Sequence, residues 1–177
     1  MIELSITVKD NVSGYLSALP SQIQKALGMA RRDALKTLRG YAAKITAEQN
    51  YITQSEVKKA TTIEFGALHV RGGMRGLEKF KLSPKRPGKK HYVLTGAVKR
   101  GGLKPLGANA FLMRKGGGYF PFARTSRKRY PVKRLYGPSI PQLVGSENNL
   151  PLIEAKSQEL FESRAKYWLN RLTGGKK

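Results

Sequence analysis

The stretch LSALPSQIQKALGMARRDALKTLRGYAAKI, Leu16 to Ile45, decides the fold. Its residues Leu16, Leu19, Ile23, Leu27, Ala30, Ala34, Leu38, Tyr41 and Ile45 recur every three or four positions, which places them on one face of a long helix. Ser17 or Ser21 is positioned to cap it, and Pro20 suits a first turn. Gly28 and Gly40 each weaken it by about 1 kcal/mol relative to Ala. The opposite face carries Lys25, Arg31, Arg32, Lys36, Arg39 and Lys44. That is the solvated side of a helix lying over a sheet. A helix lying in a membrane surface would show bulky Trp or Phe on its apolar face, and this face is Leu, Ile and Ala.

Working outward, Leu4, Ile6 and Val8 alternate with polar residues as in a half-buried strand, and Asp10-Asn11 reads as a turn. Downstream of the helix, Thr53-Gln54-Ser55-Glu56 fits a capping box opening a short helix through Lys59. Residues 61–146 have the marks of β structure. Strands are expected at Thr61–Phe65, His91–Val98, Ala110–Arg114, Tyr119–Arg124 and Val132–Tyr136. Twelve of the 19 glycines fall between Gly66 and Gly118, which is turn punctuation. Gly116-Gly117-Gly118 reads as a hairpin tip, and Ser83 to Lys90 as an exposed basic loop. Residues 147–177 read as a second helix with a buried stripe of Ile153, Leu160, Phe161, Trp168, Leu169 and Leu172, ending at Gly174-Gly175-Lys176-Lys177. The order predicts one α+β domain: an antiparallel β-sheet flanked by a long N-terminal helix and a C-terminal helix. Its three parts are 1–60, 61–146 and 147–177.

The 177 residues carry 34 Lys+Arg against 11 Asp+Glu, a formal net charge of +23. The imbalance is local. Residues 1–78 hold 11 basic and 7 acidic groups, and residues 147–177 hold 6 and 4. Residues 79–146 hold 17 basic groups and no acid at all. Such a segment repels itself, so a partner or solvent exposure must accommodate it. Met1-Ile2-Glu3-Leu4 lacks the pattern of a signal peptide, and no apolar run approaches the ~18 residues of a spanning helix, so no membrane partner is expected.

Catalytic constellations are scarce. There is no cysteine, which excludes disulfides and thiolate chemistry. There is no P-loop, and no GxGxxG follows a strand. His69 and His91, the only histidines, lie far apart in the sequence without metal-ligand spacing and read as ordinary strand or loop residues. Ser139, between Pro138 and Pro141, lacks the glycines of a nucleophile elbow and reads as part of a rigid extended segment. Glu64 and Glu78 are too isolated to hold a catalytic divalent ion. The expectation is a non-enzyme without cofactor or metal.

The basic clusters are more informative. Lys85, Arg86, Lys89 and Lys90 form one. Arg124, Arg127, Lys128, Arg129, Lys133 and Arg134 form another, interleaved with Tyr119, Phe120, Phe122, Tyr130 and Tyr136. Cations beside aromatic rings grip single strands by attraction and stacking. The same composition also packs a sheet and pairs with acids on a neighbouring subunit. A free-standing nucleic-acid binder is therefore the alternative reading.

The stretch Arg129 to Gln142, Arg-Tyr-Pro-Val-Lys-Arg-Leu-Tyr-Gly-Pro-Ser-Ile-Pro-Gln, resembles the minor tail protein Z family, the tail completion proteins of long-tailed bacteriophages and prophages. Members typically carry an Arg-x-Pro-aliphatic segment running into Leu-Tyr-Gly-Pro-Ser-(Ile/Val)-Pro-Gln. Ala110-Phe111-Leu112, the glycine hairpin, the aromatic strand ending at Arg124 and the loop Ser83-Pro84-Lys85-Arg86-Pro87 resemble it too. The likeness is closest over 80–143 and architectural elsewhere. It implies a structural virion protein at the head-proximal end of the tail, assembled in the host cytoplasm. It also implies a homo-oligomeric, hexameric ring whose neighbours are the tail terminator, the tube protein and the neck proteins, with genomic DNA passing through. On that reading Pro131, Leu135, Tyr136, Gly137, Pro138, Ser139, Ile140, Pro141 and Gln142 form a subunit contact. The opposing expectation is that they form an internal strand and a turn closing the sheet.

Overall fold

The computed structural model describes residues 1–7, 20–88 and 92–172. Strand β1 (Ile2–Thr7) precedes helix α1 (Ser21–Gln49), and a short helix α2 (Gln54–Lys59) follows. Then come β2 (Thr61–Glu64), β3 (Ala67–Gly72), β4 (Arg75–Gly76), a 3-10 turn at Leu77–Lys79, and β5 (Lys81–Ser83). The middle continues with β6 (Thr95–Ala97), β7 (Lys104–Pro105), β8 (Ala110–Lys115), β9 (Gly118–Arg124), β10 (Val132–Arg134) and β11 (Tyr136–Gly137). Helices α3 (Ile140–Val144) and α4 (Leu150–Leu172) complete the α+β architecture expected from the sequence. Val8, the Asp10-Asn11 turn, Leu16, Ser17, Leu19, Lys89, Lys90, His91 and the Gly174–Lys177 end lie outside the described residues.

Helix α1 begins directly after Pro20, whose carbonyl accepts from the Ile23 and Gln24 amides at 2.9 and 3.2 Å. Ser21 is the first helical residue and not a cap. The helix runs on to Gln49 because Thr46 and Asn50 satisfy its end. The Thr46 hydroxyl donates to the Ala42 carbonyl at 2.8 Å, and the Asn50 amide side chain donates to the Thr46 carbonyl at 3.0 Å. Its fully buried line is Ala26, Ala30, Ala34, Leu35, Leu38, Ala42, Ala43, Thr46 and Ala47. Ile23, Leu27, Tyr41 and Ile45, on the expected stripe, are only half-buried. The centre of burial is rotated toward the alanines because α1 is buttressed by α4 as well as by the sheet, and small side chains let two helix axes come close.

The capping box at Thr53 is present: the Glu56 amide donates to the Thr53 hydroxyl, and Glu56 accepts from the Thr53 amide at 3.1 Å. Strands β1, β3 and β2 form an antiparallel sheet with β3 in the centre. The register sets Leu4 opposite Val70 and Ile6 opposite Leu68, with Ile63 opposite Leu68 on the other side. These residues share the face turned to the helices, since alternate side chains point the same way. Leu68 and Val70 are completely buried. β3 did not stand out in the sequence because His69 and Arg71 interrupt it. They occupy the outer face, where Glu3 accepts from Arg71 Nε at 2.9 Å and lies 3.2 Å from His69 Nδ1.

The basic middle is built of short antiparallel pieces. β8, β9 and β10 form one sheet, with Lys115 opposite Gly118 across the glycine tip. Gly116 and Gly117 have φ of 53° and 83°, the left-handed pair a tight hairpin requires. The expected strand His91–Val98 contracts to Thr95–Ala97. Tyr92 instead accepts from the Leu112 amide through its hydroxyl, 3.1 Å away. The expected strand Val132–Tyr136 divides in two. Val132–Arg134 pairs with β9, while Tyr136–Gly137 pairs with β4. Leu135 sits at the hand-over, donating to the Pro121 carbonyl at 2.9 Å and accepting from the Leu77 amide at 3.1 Å.

Helix α4 buries Ile153, Ser157 and Phe161, a line advancing four residues at a time. Leu160, Trp168 and Leu169 are half-buried, and Leu172 is exposed, so the expected stripe ran too far round and too far along. Trp168 still anchors the helix by donating its indole N–H to the Asp33 carboxylate of α1 at 3.0 Å. One hydrophobic cluster joins all three parts of the chain, from Ile6 through Leu38, Leu94 and Leu112 to Phe161.

Candidate polyanion-binding surface

The segment Pro131–Gln142 passes from the surface into the interior. Ser139 is completely buried and caps α3. Its hydroxyl accepts from the Gln142 amide, while the Gln142 side-chain oxygen accepts from the Ser139 amide at 2.8 Å. Thus Ser139 opens a helix, and the rigid extended segment expected there ends at Pro138. Ile140 and Pro141 are buried beneath it. Gly137 lies against the ring of Phe80, where a Cβ would meet Phe80 Cε2 at 2.6 Å. Leu135 and Pro138 are half-buried. Of the nine residues expected to form a subunit contact, Pro131, Tyr136 and Gln142 are exposed, and Gly137, Ser139, Ile140 and Pro141 are buried where the chain turns from sheet to helix.

The second basic cluster divides as well. Arg134 is paired within the chain: it donates to Glu78 at 2.5 Å and lies over the rings of Phe120 and Tyr136 at 4.4 and 5.4 Å. Arg124 covers Phe111 at 4.7 Å, and Phe111 neighbours Phe122 at 6.4 Å. Arg129 lies 5.8 Å from the ring of Tyr130. The rings of Phe111, Phe120 and Tyr136 therefore already carry the protein's own guanidinium groups. Base stacking on these rings would first have to displace those arginines, which weakens the single-strand reading of this cluster. Arg127, Lys128 and Lys133 are exposed, with no carboxylate partner among the described residues. The loop bearing Arg127, Lys128 and Arg129 is closed at its base by the Thr125 hydroxyl donating to the Pro131 carbonyl at 3.1 Å.

The first cluster gains members that the sequence left apart. The loop after β5 brings Lys85 and Arg86 beside the tip of the β8–β9 hairpin, where Arg114 stands opposite Tyr119. Together with Gly117 and Gly118 they line an open groove of about 460 Å³. Lys85, Arg86 and Arg114 are exposed and face no acid among the described residues. The position of Arg114 opposite Tyr119 follows from the hairpin turn. The approach of the 83–88 loop had no sequence signal.

Several acids on and beside the first sheet are engaged by arginines. Glu56 pairs with Arg75, and Glu64 lies 3.6 Å from Arg71. Burial acts to raise the Glu56 carboxyl, but the Thr53 amide, the Thr53 hydroxyl and the Arg75 guanidinium outweigh it and hold the group below its ordinary value. The hydrogen bond from Arg71 is the main cause of a similar lowering at Glu3. No group of three or more His, Asp or Glu residues is arranged to hold a metal ion among the described residues. No described helix is long and apolar enough to cross a membrane.

No protein-family model matches the chain, no curated protein matches it, and no solved structure matches it.

Proposed function

We propose that the chain is a structural component completing the head-proximal end of a bacteriophage tail, joining tail to neck around the path of the DNA. The observation that carries this reading is the segment Leu135–Gln142, whose likeness to minor tail protein Z sequences is accompanied by a structural task for most of its residues. Leu135 hands the chain between sheets, Gly137 makes room for Phe80, and Ser139 with Gln142 caps α3 above buried Ile140 and Pro141. A segment so committed to the fold is a natural family signature. The exposed cations of the middle suit a ring in which many copies bring one charged surface toward DNA or toward acidic neck and tube proteins. The proposed assembly is a homo-hexameric ring with the tail terminator, the tube protein and the neck proteins as neighbours.

Electron microscopy of the purified protein with its tail and neck partners tests this. Ring-shaped density at the upper end of the tail is the expected result. A protein that stays monomeric and joins no virion particle overturns it.

A further inference from the structure

We propose that the groove between the 83–88 loop and the β8–β9 hairpin tip seats the phosphodiester backbone of nucleic acid. This deepens the tail-completion reading by naming where DNA would touch the chain, yet it stands on the groove alone.

Three features converge on phosphate. Lys85, Arg86 and Arg114 supply three exposed cations with no carboxylate partner among the described residues. Gly117 and Gly118 line the groove, and Gly117, with a φ of 83° and nothing within 4 Å of where a Cβ would stand, is bare backbone that a phosphate oxygen can approach closely. Tyr119 also lines the groove, and its hydroxyl makes no hydrogen bond among the described residues, which leaves it free to donate to phosphate.

The lining also argues against an acidic protein. Protein interfaces bury an apolar centre from which lysine is depleted. This groove contains no aliphatic residue, and its one aromatic residue carries a hydroxyl. A partner that offers repeated charge and little apolar surface matches it better. Exposed lysine and arginine side chains beside bare backbone suit phosphate oxygens, so the proposed contact is with the backbone and independent of sequence.

The test is fluorescence anisotropy of the full chain with a labelled mixed-sequence DNA duplex, titrated between about 50 and 200 mM salt. The triple variant Lys85→Gln, Arg86→Gln, Arg114→Gln is compared with Arg127→Gln, Lys128→Gln, Arg129→Gln, which removes the same charge from the loop at the other end of the hairpin. The groove triple should weaken binding about tenfold or more, and flatten the slope of log K against log salt by about 3. The loop triple should change both far less. Equal losses from the two triples overturn the proposal by showing a diffuse charge effect. So does the absence of salt-dependent binding by the wild type, and so does polyglutamate competing as well as unlabelled DNA. All three groove side chains are exposed, so the variant should melt like the wild type. Arg114→Gln alone repeats the test with a smaller step if the triple does not fold. Rings that form without DNA binding defeat the groove alone, and groove binding without rings defeats the tail reading alone.

Discussion

Arg134 donates from Nη2 to Glu78 Oε1 at 2.5 Å, joining the last acid before the acid-free stretch to the last member of its largest basic cluster. Both side chains are partly sheltered, at 33% and 15% exposure. The pair ties β10 to the 3-10 turn after β4, beside the point where Leu135 passes the chain from one sheet to another.

Replacing one partner leaves the other sheltered and unpaired. Glu78→Ala should therefore destabilise the fold by about 2 kcal/mol in urea denaturation. The double variant Glu78→Ala, Arg134→Ala should cost clearly less than the sum of the two single changes. Additive costs would show that the pair is not coupled.

Gly137 has no room for a side chain. Its Cβ would lie 2.6 Å from the ring of Phe80, itself a core residue. Gly137→Ala should cost about 1–3 kcal/mol by forcing that ring aside. Thermal unfolding followed by circular dichroism measures this, and an unchanged melting temperature would refute the close packing.

Phe65 is fully exposed and has a φ of 51°, next to Gly66 at 73° in the two-residue turn between β2 and β3. A bulky residue is strained there, and the turn favours Asn-Gly. Phe65→Asn should raise stability by about 1 kcal/mol, a gain of about 2–4 °C in melting temperature. A fall in melting temperature would mean that the ring has a stabilising contact in solution.

Acid should weaken the fold through Glu56. Its carboxyl titrates below the ordinary 4.5 in the folded chain. The stabilisation is thus fully present above that ordinary value and is lost as the pH falls through the lower folded value. Glu56→Gln retains a side chain able to cap α2 but removes the charge facing Arg75. Its melting temperature should lie below that of the wild type at neutral pH and converge with it in acid. A gap that persists in acid would assign the loss to packing.

Much of the frame was legible because it depends on local rules. The Thr53–Glu56 capping box, the glycine hairpin tip and the body of α1 each follow from neighbouring residues. Strand β3 was hidden because His69 and Arg71 mask an apolar face that only pairing with β1 and β2 reveals. The buried line of α4 was misplaced because a seven-residue spacing joins Ile153 to Leu160 while a stride of four joins it through Ser157 to Phe161, and packing against α1 selects the second.

The α+β order, the acid-free concentration of charge in residues 79–146 and the proline-rich segment before α3 can all be read along the chain. Which charges are free follows from tertiary contacts. Arg134 is held by Glu78 and Arg124 covers Phe111, while Lys85, Arg86 and Arg114 are brought to one groove by two loops distant in the chain. The reason is physical: the number of charges is a property of composition, but their availability depends on distances that exist only after the β pieces have paired.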